Sequence, residues 1–129
     1  MTYRRVVPIE FCHCDPAGIV FYPRYVEMAQ HVVENFFIDV LDYPFSRMIA
    51  AGQGAPAVRL EFDFRKPSRL GDRVEWALVV EHAGRSSIRF LLRAGDRLEA
   101  RITVVWIGPD FRPATIPDDI RRLLEAHHA

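Results

Sequence analysis

An α+β fold, with a curved antiparallel sheet of about five strands laid around one long α-helix and a short helix near the C-terminus, is predicted by three features of this sequence. A stretch with three-and-four apolar spacing runs from Pro23 to about Leu41, four runs of strict alternation follow it, and one strand-like segment precedes it. The first strand falls near Tyr3 to Phe11, where Pro8 removes a ladder donor and so suits an edge or a bulge. In the helix, Val26, Ala29, Val32, Val33, Phe36, Phe37, Val40 and Leu41 make an apolar arc wide enough to demand deep burial. A sheet curved around that helix is the cover that the remaining elements can supply.

The four later strands follow from alternation. From Ala57 to Arg65, Val58, Leu60, Phe62 and Phe64 alternate with Arg59, Glu61, Asp63 and Arg65, the pattern of a strand with one buried face. Val74, Trp76, Leu78 and Val80 repeat it, as do Ile88, Phe90 and Leu92, and then Leu98, Ala100, Ile102, Val104 and Trp106. His82-Ala83-Gly84-Arg85 and Ala94-Gly95-Asp96-Arg97 read as the tight turns that join them into an antiparallel series. Val79, Leu91, Val105 and Ile107 lie on the nominally polar faces of their strands and are consistent with cover by a second copy of the chain. The short helix spans about Asp118 to His127, with Ile120, Leu123 and Leu124 on one side, and Gly52-Gln53-Gly54-Ala55-Pro56 reads as the most flexible loop.

Composition bounds the function. Half of the 129 residues are hydrophobic, enough for one compact core, so residues 1–129 read as a single domain. Seventeen basic and seventeen acidic side chains cancel, so no general field draws the chain to nucleic acid or to an anionic membrane. No signal-like or membrane-spanning stretch is evident, and a cytoplasmic location is expected. Cys12 and Cys14 cannot build a disulfide framework.

The chemistry concentrates in His13-Cys14-Asp15-Pro16-Ala17-Gly18-Ile19-Val20-Phe21-Tyr22-Pro23-Arg24-Tyr25. Asp15 lies in a Pro/Gly turn shortly before the long helix, and Pro23 suits that helix's first turn because its missing N–H would be unpaired there anyway. A carboxylate facing the exposed N–H groups of a helix start can attack a carbonyl, or activate water toward it, while the helix end stabilises the oxyanion. The plainer reading, that Asp15 only caps a turn, suits an isolated Asp better than one in this string.

The string Asp15-Pro16-Ala17-Gly18-Ile19-Val20, continued by Tyr22-Pro23 and Tyr25, resembles the active-site signature of the 4-hydroxybenzoyl-CoA thioesterase family, within the hotdog-fold acyl-CoA thioesterases. The element order follows that family over essentially the whole chain. The resemblance implies hydrolysis of an acyl-CoA thioester, with Asp15 as the carboxylate and the Tyr22 backbone N–H as an oxyanion donor. It implies substrate contacts at Gly18, Val20, Phe21 and Tyr25, and a homodimer or homotetramer with active sites between subunits. It places Gln30 where hydroxybenzoyl-specific members carry an acidic residue, which puts that particular acyl group in doubt. Aromatic residues Phe21, Tyr22 and Tyr25 favour a compact, aromatic or short acyl group.

Coenzyme A carries phosphates, which guanidinium groups bind in bidentate geometry. Arg85, in a turn followed by Ser86 and Ser87, is the first candidate by position in the family, and Arg65 and Lys66 beside Pro67 form a second cluster; Arg69 and Arg73 read as ordinary surface charge. His13 is a candidate for proton transfer near the thioester. Cys12-His13-Cys14 offers soft metal ligands but lacks the second, widely spaced pair of a tetrahedral site, and Cys14 has no evident base partner, so neither metal nor cofactor is expected beyond the CoA of the substrate. Two other functions fit the same fold. A hydratase or dehydratase of one such group would carry His where Val20 stands, and a non-catalytic acyl-CoA-binding module would have no use for Asp15 in an intact motif.

Overall fold

A computed structural model describes residues 1–129. Strand β1 (Tyr3–Pro8) leads through a 3-10 turn (Phe11–His13) to helix α1 (Tyr22–Asp39) and a short helix α2 (Phe45–Ala50). Strands β2 (Ala57–Phe64), β3 (Arg73–Ala83), β4 (Ser87–Ala94) and β5 (Leu98–Val105) follow, and helix α3 (Asp118–Ala126) closes the chain. The five strands form one antiparallel sheet in the order β1-β3-β4-β5-β2. Pro8 sits on an edge strand, as its missing donor requires.

Helix α1 fills the inside of the sheet. Ala29, Val32, Phe36 and Phe37 on its inner face are completely enclosed with Trp76, Leu78, Phe90, Leu92 and Trp106. Phe36 packs edge-on against Phe90 with ring centroids 5.6 Å apart. Tyr25 and Met28 extend this buried face by one turn toward the N-terminus, while Val26 is only half-buried.

Five local expectations change. β2 has the clearest alternation in the chain, yet neither of its faces is buried: Val58, Leu60 and Phe64 are exposed and only Phe62 reaches intermediate burial. It is an edge strand bonded to β5 alone, and the first turn of α1 meets it at Phe64 through Tyr22 and Tyr25. Leu91, expected on a nominally polar face under the cover of a second copy, is already buried within the chain, whereas Leu123, expected on the apolar side of the short helix, is exposed on α3. The β3–β4 turn is shorter than expected, because His82 and Ala83 still pair with Arg89 and Ile88 past an irregularity in register. The Gly52–Pro56 loop is pinned rather than loose: Gly54 and Ile107 exchange backbone hydrogen bonds of 3.2 and 2.9 Å.

Helix α2 had no sequence signal because it has six residues and a single buried side chain, Met48. No helix is long and apolar enough to cross a membrane.

Candidate active site

Residues 13–21 double back as a miniature hairpin. The Phe21 N–H donates to the His13 carbonyl at 2.9 Å, the Asp15 N–H to the Ile19 carbonyl at 3.0 Å, and Cys14 bridges Val20. Pro16, Ala17 and Gly18 make the turn. The Gly18 N–H closes it on the Asp15 carbonyl at 3.0 Å, and Gly18 takes φ +78, a left-handed conformation that a side chain would strain. The carboxylate takes part as well, since Asp15 Oδ1 accepts the Ala17 N–H at 2.9 Å. Asp15 therefore does cap its own turn, but with one oxygen; Oδ2 has no protein partner.

The second arm of the hairpin runs straight into α1. Phe21 is the N-cap and Pro23 lies in the first turn, while the Tyr22 N–H meets no backbone or side-chain acceptor. A free donor at the start of an 18-residue helix adds the partial positive charge of the aligned peptide dipoles to its own. The same arm is held from the other side: the Val20 N–H donates to the Ser68 carbonyl at 2.9 Å, and the Leu70 N–H to the Gly18 carbonyl at 3.2 Å. Ser68 is fully enclosed, and its Oγ accepts the hydroxyl of buried Tyr25 at 2.7 Å, tying the loop to α1.

A hollow of about 560 Å³ opens beside this helix start, lined by Val20, Tyr22, Tyr25, Phe64, Arg65 and Lys66. Its walls are aromatic: the Phe64 ring lies 6.2 Å from Tyr22 and 5.7 Å from Tyr25. Its rim is cationic, with Lys66 paired to Asp96 and Arg65 lying 3.9 Å from Glu99. Glu99 is held below the usual carboxylate range chiefly by Arg93, and Asp96 by Lys66, so both rim partners stay anionic.

His13 faces elsewhere. It lines a separate hollow of about 500 Å³ with Cys12, Arg24, Glu27 and His31. Its Nδ1 accepts the Glu10 N–H at 2.9 Å, which in the neutral ring leaves the proton on Nε2. Donor atoms of Glu10, Cys12 and His13 lie within 4.8 Å of one another. The only imidazole lone pair, however, is spent on Glu10, and coordination would cost the cap of the 3-10 turn; as folded, the cluster is one ligand short.

The remaining candidates scatter. Gln30 is exposed on α1 and lines neither hollow, and Phe21 is half-exposed, edge-on to Tyr22 with centroids 5.5 Å apart. Arg85, Ser86 and Ser87 lie beyond the far end of β3. Its eleven residues separate them from the hairpin end of the sheet by roughly 33 Å. Within one chain they do not join Asp15. Two residues that line or support the aromatic hollow were missed in the sequence: Phe64, read as part of a buried strand face, and Ser68, a short polar residue in a loop. The only available signal was the position of Phe64 directly before Arg65-Lys66.

The sequence pattern of the Thioesterase-like superfamily matches residues 9–124, a span that begins before the hairpin and ends within α3. The chain belongs to this superfamily. Solved structures agree at the level of the fold. The Dynemicin thioesterase superposes with a TM-score of 0.90 at 18% identity, covering 100% of this chain and 99% of that one. Slr0204, a 1,4-dihydroxy-2-naphthoyl-CoA thioesterase from Synechocystis, gives 0.85 at 20% identity with 96% of each chain covered. The gentisyl-coenzyme A thioesterase BH1999 gives 0.80 at 23% identity, covering 94% and 99%. The curved five-stranded sheet around α1 is thus the hotdog fold of a thioesterase-like protein.

Proposed function

We propose that this thioesterase-like protein hydrolyses acyl-CoA thioesters with a compact, aromatic or short acyl group, in the manner of the 4-hydroxybenzoyl-CoA thioesterase family. The observation that carries the reading is a single short segment in which Asp15 keeps one carboxylate oxygen free and the Tyr22 N–H at the helix start has no partner. Attack on the thioester carbon, by Asp15 itself or by a water that Asp15 deprotonates, moves charge onto the carbonyl oxygen. An unspent helix N-terminal donor stabilises charge developing there. The acyl group occupies the hollow between Tyr22, Tyr25 and Phe64 with Val20 at its base, and Gly18 holds the turn. Arg65 and Lys66 meet the anionic part of CoA. The hydroxyaromatic CoA substrates in the names of Slr0204 and BH1999 fit an aromatic-walled hollow of this size.

The working unit is a homodimer or a homotetramer in the cytoplasm. Val58, Leu60 and Phe64 stand exposed on a strand whose outer edge is unpaired. Each is about half exposed, so covering it is worth about half of the roughly 1.5–3 kcal/mol of a full burial, reason for a second copy to cover them. Arg85, Ser86, Ser87 and Gln30 contribute to a site only when a partner subunit delivers them. His13, directed into its own hollow, holds the hairpin through its carbonyl and gives a proton only to a group bound on that side.

The test is thiol release from benzoyl-, hydroxybenzoyl-, phenylacetyl-, short aliphatic and palmitoyl-CoA, the last below its micellar concentration. Turnover of the compact esters with kcat/KM above that for palmitoyl-CoA is expected. Absence of turnover across the panel overturns the hydrolase reading, and a palmitoyl preference overturns the acyl class.

A further inference from the structure

Ser68 is fully enclosed and takes no part in the proposed chemistry. A hydroxyl in so dry a place destabilises the fold unless it is bonded, where alanine would bring no polar group at all. Its partner is the hydroxyl of Tyr25, which donates to Ser68 Oγ at 2.7 Å. Tyr25 lies in the first turn of α1, one turn beyond Tyr22, so this bond holds the helix start. The backbone of the same residue holds the hairpin, because the Ser68 carbonyl accepts the Val20 N–H at 2.9 Å.

The loop that carries Ser68 is fixed by bonds in which Ser68 has no share. The Asp72 N–H donates to the Arg69 carbonyl at 3.0 Å, and Asp72 Oδ2 accepts the Arg69 N–H at 2.9 Å. Gly71, at φ +91, donates to the Ile9 carbonyl at 3.0 Å, and the Ile9 N–H returns a bond of 2.7 Å to the Asp72 carbonyl. Arg97 reaches Asp72 Oδ2 at 2.7 Å. The loop is thereby secured to the end of β1 and to the β4–β5 turn, a platform stiff enough to orient what it touches.

The platform grips the two parts of the site unequally. It clamps the second arm of the hairpin at Gly18, Ile19 and Val20 in succession. To α1 it makes a single hydrogen bond, the one between Tyr25 and Ser68. The covalent joint between hairpin and helix is Phe21, an N-cap with no side-chain bond to stiffen it. The two working groups sit on opposite sides of that joint: the free Asp15 oxygen rides on the hairpin and the Tyr22 N–H on the helix. One thioester carbonyl meets both only if the angle at the joint is held, and a displacement of about 1 Å costs up to about a hundredfold in rate.

We propose that Ser68 is a positioning residue for the hydrolysis: its hydroxyl, through Tyr25, fixes the Tyr22 N–H relative to the Asp15 carboxylate. The assignment rests on the hydrolase reading above.

Ser68→Ala is expected to lower kcat about tenfold with KM little changed, as loss of alignment rather than of substrate contact predicts. It also leaves the Tyr25 hydroxyl without a partner, which destabilises the fold in its own right, so the deciding variant is the double one. Ser68→Ala combined with Tyr25→Phe removes both ends of the bond and orphans neither, and its melting temperature is expected near that of wild type. Its kcat is expected to stay about tenfold down, no lower than in either single variant, because each removes the same bond. Recovery of kcat together with stability in the double variant, or an unchanged kcat in Ser68→Ala, overturns the assignment. Hydrogen exchange reads the same bond without turnover: the Arg24 amide, which closes the first turn of α1 on the Phe21 carbonyl at 2.9 Å, is expected to exchange about tenfold faster in the double variant, with β3, β4 and β5 unaltered. If the wild-type protein hydrolyses no ester while this exchange responds, the tie between Ser68 and the helix start stands and the hydrolase reading falls. If esters are hydrolysed while neither kcat nor exchange moves, the hydrolase reading stands and Ser68 has no positioning role.

Discussion

The two ends of the sheet are built from similar material and treat their polar groups in opposite ways. At the far end, the Arg85 carbonyl accepts the Ile116 N–H at 2.9 Å, its Nε donates to Thr115 Oγ1 at 3.0 Å, and the Ser86 carbonyl accepts the Trp106 N–H at 2.6 Å. Arg121 adds a bond to the Gly84 carbonyl at 2.8 Å. These bonds fasten the C-terminal segment over the β3–β4 turn. At the near end, Asp15 keeps a free oxygen and the Tyr22 N–H has no acceptor. Satisfied groups hold a fold together, and a site is recognised by well-placed groups that the fold leaves unsatisfied.

The largest effect that would break this contrast is at Asp15. Asp15→Asn keeps the side-chain oxygen that accepts the Ala17 N–H, so the hairpin should survive while turnover falls at least about a hundredfold, the scale of a lost general base. Turnover near wild type in a protein with an unchanged melting temperature would remove Asp15 from the chemistry.

The backbone donor can be isolated next. Tyr22 is the first residue of α1, its N–H bonds nothing within the protein, and Phe21 before it has ψ 124, which a following proline accepts. Tyr22→Pro should therefore fold. Measured against Tyr22→Ala, which also loses the ring but keeps the N–H, it should cost a further factor of about ten to a hundred in kcat. Equal kcat in the two variants would place the oxyanion donor elsewhere.

At the far end a comparable lesion should be a matter of stability. Arg121→Ala removes the bond to the Gly84 carbonyl and is expected to cost about 1 kcal/mol, lowering the melting temperature by about 4 °C. A fall in kcat/KM larger than the fall in folded protein would show that this end, too, belongs to the site.

The smallest expected effect is a pH dependence at the near end. The Asp72 carboxyl is held below its ordinary range first by the Arg69 backbone N–H and then by the Arg97 guanidinium. A carboxylate whose folded value is depressed binds protons more readily in the unfolded chain, so its contribution is intact above about pH 4 and is lost as the pH falls through the depressed folded value. Asp72→Asn should flatten the acid limb of a melting-temperature profile below about pH 4. An unaltered limb would assign acid sensitivity to Glu81 and Glu99, whose carboxyls Arg101 and Arg93 depress in the same way.

Much of this protein is legible in the sequence because local periodicity has direct physical meaning. The spacing of Ala29, Val32, Phe36 and Phe37 can be buried only as a helix, and the alternation in β3, β4 and β5 only as strands packed on one face. The hairpin around Asp15 is likewise local, since Pro16 and Gly18 dictate a turn whatever surrounds them. What the periodicity of β2 could not reveal is that nothing in its own chain would cover it, because alternation records which residues seek burial and not which surface provides it. Nor could it rank the arginines. Arg73, Arg93 and Arg97 are separated in sequence by other elements and gather only through strand register, whereas Arg85, placed beside two serines, gives its Nε to Thr115 and its carbonyl to Ile116, contacts with the C-terminal segment that no local pattern announces. Contacts within a few residues are set by backbone geometry and side-chain pattern, and those could be read from the sequence; contacts across the sheet depend on register and topology, which only the folded chain decides.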